Sequence, residues 1–206
     1  MTGQNLKSCT AFEGHRCVAS GNLLKVAGEV KEVIDQDERA AILIFDDDTS
    51  ELVEVDFRGS VEDVLTRLAT LATVRKTDDK SSDKGQRSRP GPGRPKLGVV
   101  SREVTLLPRH WEWLNTQPGG ASVALRKLVE EARRTNSGKD KVRHSQEATY
   151  RFMSAMAGNF PGFEEASRAL FAGDSGRFND LIDSWPIDIR NHTQKLAGPA
   201  FQNREE

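Results

Sequence analysis

Residues 93–134 constrain this chain more than any other stretch, because they spell out one short strand and two short helices with too few apolar groups to close a core. Val104 and Leu106 alternate with Glu103 and Thr105, which predicts a strand over residues 102–107. Pro108 suits the first helical turn, and Leu107, Trp111 and Leu114 follow at helical spacing. Pro118, Gly119 and Gly120 break that helix; Leu125, Leu128, Val129 and Ala132 then mark a second over residues 122–134. A segment of roughly 35 residues with this little to bury lies below the size that folds alone. Pairing with a second copy is the physical remedy, with the two strands antiparallel and the four helices sharing one core.

The flanks read differently. Residues 1–74 predict a small α+β domain of order ββαββα. Thr10 to Phe12 and Arg16 to Ala19 make a hairpin around Glu13, Gly14 and His15, and Asn22 caps a helix with Leu23, Val26, Val30, Val33 and Ile34 on one face. Residues 41–45 form an apolar strand. Asp46, Asp47 and Asp48 make a turn, and Leu52, Val53, Val55 and Phe57 make a return strand. Ser60 and Asp63 approximate a capping box for a helix carrying Val64, Leu65, Leu68 and Leu71. Residues 75–98 contain almost nothing apolar and read as a disordered basic linker. Residues 99–136 hold the strand-helix-helix segment, and residues 145–206 a helical bundle punctuated at Gly158, Gly173 and Gly198-Pro199. Pro186 suits the first position of its last helix.

The formal net charge of −1 conceals a strong asymmetry. Residues 1–74 hold seven basic and fourteen acidic side chains, and residues 75–134 hold fourteen basic and seven acidic. This points to a polyanionic partner for the middle of the chain, or to shielding of the middle by the acidic front. No apolar run is long enough for a membrane span. Cys9 and Cys17 flank the hairpin turn, near enough in sequence to face each other across it, and read as buried thiols of a reducing cytoplasm. No cofactor motif or metal-ligand spacing is present in the sequence. Asp188 and His192, at i and i+4, could form an acid–base pair, but a solvated helix face is the favoured reading, so no catalytic residue is assigned.

Residues 100–134 resemble the ribbon-helix-helix DNA-binding domain of Arc- and MetJ-type repressors. The resemblance implies a homodimer whose paired strands enter a major groove. Its base-reading positions fall on Ser101, Glu103 and Thr105. Its phosphate positions fall on Gly120, Ala121 and Ser122, with Arg126 and Lys127 nearby. Glu103 stands where a basic or amide side chain is usual. Gly93-Arg94-Pro95-Lys96 resembles the core of an AT-hook, with Pro92 where the usual core has a second arginine; Arg94 and Lys96 would lie in a minor groove, and Arg87 and Arg89 on phosphates. The whole chain also resembles a bacterial family known only as a domain of unknown function, through phrases such as Leu106 to Trp111, Gln117 to Ser122 and Trp185 to Arg190. The expectation is therefore a cytoplasmic, nucleoid-associated homodimeric DNA-binding regulator, not an enzyme. The alternative is a dimeric, antitoxin-like adaptor that binds a protein and not DNA.

Overall fold

The computed structural model describes residues 7–37, 39–81, 100 and 102–202. Its sheet is built from β1 (Ser8–Glu13), β2 (Arg16–Asn22) and β3 (Ile42–Asp46), all antiparallel in the order β2-β1-β3. Gly14, at φ 55°, supplies the left-handed residue that the two-residue loop between β1 and β2 needs. The central strand is buried on both faces. Cys9 and Ala11 join Val26, Val30 and Ile44 on one side, while Phe12 joins Phe45 and Phe152 on the other. The register sets Cys9 opposite Gly21 and Cys17 opposite Phe12, so the two cysteines do not face each other across the hairpin. Cys9 is buried, but Cys17 is exposed rather than buried.

Helix α1 (Leu23–Gln36) covers the first face with Val26, Ala27 and Val30. Asn22 caps it: its Oδ1 accepts from the Lys25 N–H at 3.0 Å. Asn22→Ala is expected to lower stability by about 1 kcal/mol, read as a shifted urea midpoint with an unchanged slope.

The return strand expected over residues 52–57 does not form. Leu52 makes one isolated bridge to Phe45, and the Val53 N–H donates to the Ile44 carbonyl at 2.8 Å. Val53, Val55 and Phe57 then pack, half-buried, on the α1-side core without a ladder. Their alternation is satisfied by packing alone, and the order is ββαβα. The capping box does form at the start of α2 (Val61–Ser81): Asp63 N–H donates to Ser60 Oγ at 3.2 Å, and Ser60 N–H to Asp63 Oδ2 at 2.9 Å. This helix runs on to Ser81, through the first residues of the stretch that composition assigns to a linker.

Beyond α3 (Pro108–Thr116), the second helix does not stop near residue 134. It continues as α4 (Ala121–Met156), 36 residues long. Poor helix formers at residues 135–138 suggest a break, yet the helix runs through them, with two of their side chains bonded back to carbonyls of the preceding turn. Asn136 Nδ2 reaches the Ala132 carbonyl at 3.0 Å, and Ser137 Oγ the Arg134 carbonyl at 3.0 Å. Three shorter helices follow: α5 (Phe163–Ala172), α6 (Ser175–Ile182) and α7 (Ile187–Phe201). Gly173 ends α5 in the left-handed conformation, and Asp174 caps α6 by accepting from Arg177 N–H at 3.0 Å. Pro186 stands at the N-cap of α7 and not inside it, and Gly198-Pro199 lies within that helix instead of ending it.

The chain divides into two units, Met1–Asp79 with Gly138–Glu206, and Lys80–Ser137. The sequence separates residues 1–74 from residues 145–206, but in the structure they share one core. The Phe152 ring of α4 lies 5.4 Å from Phe12 of β1 and 5.1 Å from Phe45 of β3, beside Leu170, Phe178, Ile182, Trp185 and Ile189. The physical cause is the second apolar face of β1, which only the late helices cover.

Candidate nucleic-acid interface

Within the unit Lys80–Ser137, residues 102–107 form no strand. Among the described residues, nothing bonds the backbone N–H groups of residues 102–106. Leu107 is extended at φ −65° and ψ 150°, and its carbonyl accepts from His110 and Trp111 N–H at 2.8 and 3.3 Å to open α3 at Pro108. The helix ends at Gln117, and Gly119 and Gly120 turn the chain with φ of 86° and 75°. The left-handed backbone angle favours glycine at 119, where a Cβ would also lie tight against the Val123 side chain at 3.2 Å.

The start of α4 leaves its first donors open. The Gly120 carbonyl accepts from Val123 and Ala124 N–H, both at 3.1 Å. The Gly120 N–H is already held by the Gln117 carbonyl at 2.9 Å, which removes Gly120 from the expected phosphate ligands. Ala121 and Ser122 keep N–H groups with no acceptor among the described residues. One turn on, Arg126 and Lys127 are exposed and form no ion pair among the described residues; the Arg126 Nε donates to the Ser122 carbonyl at 3.0 Å. The chain thus places Ala121, Ser122, Arg126 and Lys127 together, a cation pair beside free backbone donors.

Glu103 and Thr105 are both exposed, as are Arg102 and Val104 beside them. Arg87, Arg89, Arg94, Lys96 and Ser101 lie outside the described residues. The apolar side chains depart most from expectation. Val104 is 54% exposed and Val129 56%, and Leu107, Trp111 and Leu128 are exposed as well; Leu114 and Ala124 are the buried hydrophobic residues of this unit among the described residues. Trp111, expected in a core, is therefore open, and Trp113 beside it is more so.

Asp188 and His192 do not form an acid–base pair; Asp188 is half-buried in the first turn of α7, and only His192 departs from the solvated face. The Asp188 carboxylate accepts from the Cys17 N–H at 2.9 Å and so covers the β2 edge. His192 is buried against the rings of Phe152 at 4.5 Å and Phe12 at 5.3 Å, and its Nε2 has no hydrogen-bond partner. Burial pushes its pKa down to about 4. Its position between Ile189 and Leu196 at helical spacing was the signal that it faces the core. Sequence reasoning also missed the anchor formed by Asp47, which accepts from Ser8 Oγ at 2.8 Å, Thr10 Oγ1 at 2.7 Å and Lys195 Nζ at 2.9 Å. That contact spans residues 8 to 195, a separation no local pattern records. Burial raises both thiols, Cys9 to about 11, so neither is an activated nucleophile. Among the described residues no cluster of three or more potential ligands could hold a metal ion, and no helix is long and apolar enough to cross a membrane.

These features define a mixed α+β chain, mostly helical, with a small antiparallel sheet and a second unit whose apolar groups lie open beside a basic helix start. The chain belongs to the family described as DUF2239, uncharacterized protein conserved in bacteria, whose model matches residues 8–197. No curated protein and no solved structure matches it.

Proposed function

We propose that this protein is a homodimeric bacterial DNA-binding protein, a transcriptional regulator that reads a major groove with a two-stranded ribbon. One observation carries the reading: unbonded backbone donors at residues 102–106 lie in the same unit as the exposed side chains of Val104, Leu107, Trp111, Leu128 and Val129. An uncovered apolar set is costly in water, and a second copy that pairs with the extended, unbonded segment covers it. Antiparallel pairing turns Val104 and Leu106 inward, and Ser101, Glu103 and Thr105 outward onto base edges. The N–H groups of Ala121 and Ser122, with Arg126 and Lys127, then hold backbone phosphates. Arg94 and Lys96 add contacts to a neighbouring minor groove, and Arg87 and Arg89 contacts to its phosphates. The reading assigns no catalytic step.

The test is a solution mass beside a gel shift on genomic fragments at two salt concentrations. The expected result is a dimer whose affinity falls with salt at a slope near −0.9 per phosphate neutralised. Val104→Asp is expected to leave a monomer with unchanged helix content and no retained DNA. A monomeric wild type, or binding indifferent to salt, rejects the reading. A second reading, an adaptor that binds a protein, draws on an open hollow of about 390 Å³ lined by Tyr150, Phe171, Glu147, Arg151 and Ser154. Exposed aromatic side chains of this kind are common anchors for protein partners.

A further inference from the structure

We propose that the open hollow between α4 and α5 binds a methylated ammonium group, held against the rings of Tyr150 and Phe171 with the Glu147 carboxylate at the rim. The assignment goes beyond the DNA-binding reading and does not depend on it. The hollow, of about 390 Å³, is walled almost wholly by carbon. Glu147, Tyr150, Arg151 and Ser154 come from one face of α4, at i, i+3, i+4 and i+7, and Phe171 comes from the last turn of α5. Ala148 and Phe152, on the opposite face of α4, are buried in the core, so the helix cannot turn to cover Tyr150. Gln146 Nε2 donates to the Leu170 carbonyl at 3.0 Å, which fixes the end of α5 beside α4.

Tyr150 is 42% exposed and Phe171 51%. Their ring centroids lie 5.7 Å apart with the planes tilted by 58°, and Phe163 stacks on Tyr150 at 6.3 Å and 30°, which sets the tilt of that ring. Two rings this close share a region within about 6 Å of both centroids, the range over which a negative ring face attracts a cation. The charges at the rim favour the same sign. Arg151 donates to the Thr49 carbonyl, next in sequence to Asp46, Asp47 and Asp48, so its charge is drawn to that turn. Arg143 lies 2.9 Å from Asp140 and 4.0 Å from Glu147, so the Glu147 carboxylate is the less neutralised of the two. A primary ammonium is strongly hydrated and brings three N–H donors that carbon walls cannot satisfy. Methylation removes those donors and leaves a charge clad in methyl groups, which pack on ring faces. An anion is repelled by the rings and by Glu147, and a neutral group of the same shape gains the apolar contact alone.

Tyr150 is the single tyrosine of the chain, so full-length protein grown on fluorotyrosine carries its fluorine label in the hollow alone. The experiment follows that fluorine resonance during titration with choline, with a short peptide carrying Nε-trimethyllysine, and with neutral counterparts in which carbon replaces the quaternary nitrogen. The cationic probes are expected to give a saturable shift, with affinity on the order of 10-fold above their neutral counterparts. Phe171→Ala, at an exposed position, is expected to keep the helix content and lose the saturable shift. Glu147→Gln should weaken the cationic probes by about threefold to tenfold and leave the neutral ones unchanged. Both orders of affinity support the assignment: a peptide that binds more tightly than choline puts the group on a partner protein, and the reverse puts it on a free small molecule. Equal binding of charged and neutral probes, no saturable shift with either cation, or an unchanged response in Phe171→Ala overturns it and leaves the DNA-binding reading in place.

Discussion

Phe152→Ala is expected to cost about 3–5 kcal/mol, the range for truncating a buried aromatic ring, out of a total stability on the order of 5–15 kcal/mol. Phe152 is fully buried, and three elements bring rings against it. Phe12 comes from β1, Phe45 from β3, and His192 from α7, at centroid distances of 5.4, 5.1 and 4.5 Å. Little of the cavity left by the missing ring can be refilled, because the neighbours are themselves aromatic rings held by their own strands and helix. The measurement is urea unfolding followed by tryptophan fluorescence and by far-ultraviolet circular dichroism. Both probes should shift together. Trp185 reports on the helical part, donating its Nε1–H to the Pro161 carbonyl at 3.0 Å, while the sheet contributes to the dichroism. A loss below 1 kcal/mol would show that the late helices and the sheet do not share this core.

That shared core was the part of the fold least legible in the sequence. Local patterns named most of the elements. Asn22 at the head of α1, the Ser60 and Asp63 box at the head of α2, and Gly173 at the end of α5 are each set by neighbours a few residues away. Local patterns also named β1, but only as half of a hairpin. Both faces are buried there because Thr10 and Phe12 face elements far along the chain, and Thr10 bonds to Asp47. The return strand over residues 52–57 failed for a related reason: alternation reports which side chains are buried, not whether the backbone finds a ladder. The site followed the same rule. The helix break at Gly119 and Gly120 was legible because glycine alone tolerates those angles. The loss of the Gly120 N–H to Gln117 was not, since it depends on how the turn closes. The alternation over residues 102–107 likewise forms no strand, for the same reason as residues 52–57.

Acidification from pH 7 to pH 4 is expected to remove about 3 kcal/mol of stability through His192 alone. Its imidazole is enclosed by Phe12 and Phe152, with Nε2 unpartnered, and burial lowers its pKa from 6.5 to about 4. The charged groups facing it are the Asp47 carboxylate, which favours the imidazolium, and the Lys195 ammonium, which opposes it. A base with a depressed folded pKa binds its proton more readily when unfolded. Its contribution is therefore complete above pH 6.5 and is lost as pH falls through 4. A second loss follows at lower pH. Burial acts to raise Asp46 and Asp47, but hydrogen bonds outweigh it: Lys7, Asp48 N–H and Thr49 N–H on the first, Thr10, Lys195 and Ser8 on the second. Both carboxyls thus lie below their usual range, and their contributions persist until pH drops below the ordinary carboxylate value. Urea midpoints measured at half-unit steps should fall first between pH 6.5 and 4, then more steeply. His192→Gln, which cannot titrate, should flatten the first fall and keep the second. A wild type equally stable at pH 7 and pH 4.5 would show that His192 takes up its proton in the folded state as easily as in the unfolded one, and that the pocket between the two phenylalanine rings is open to water.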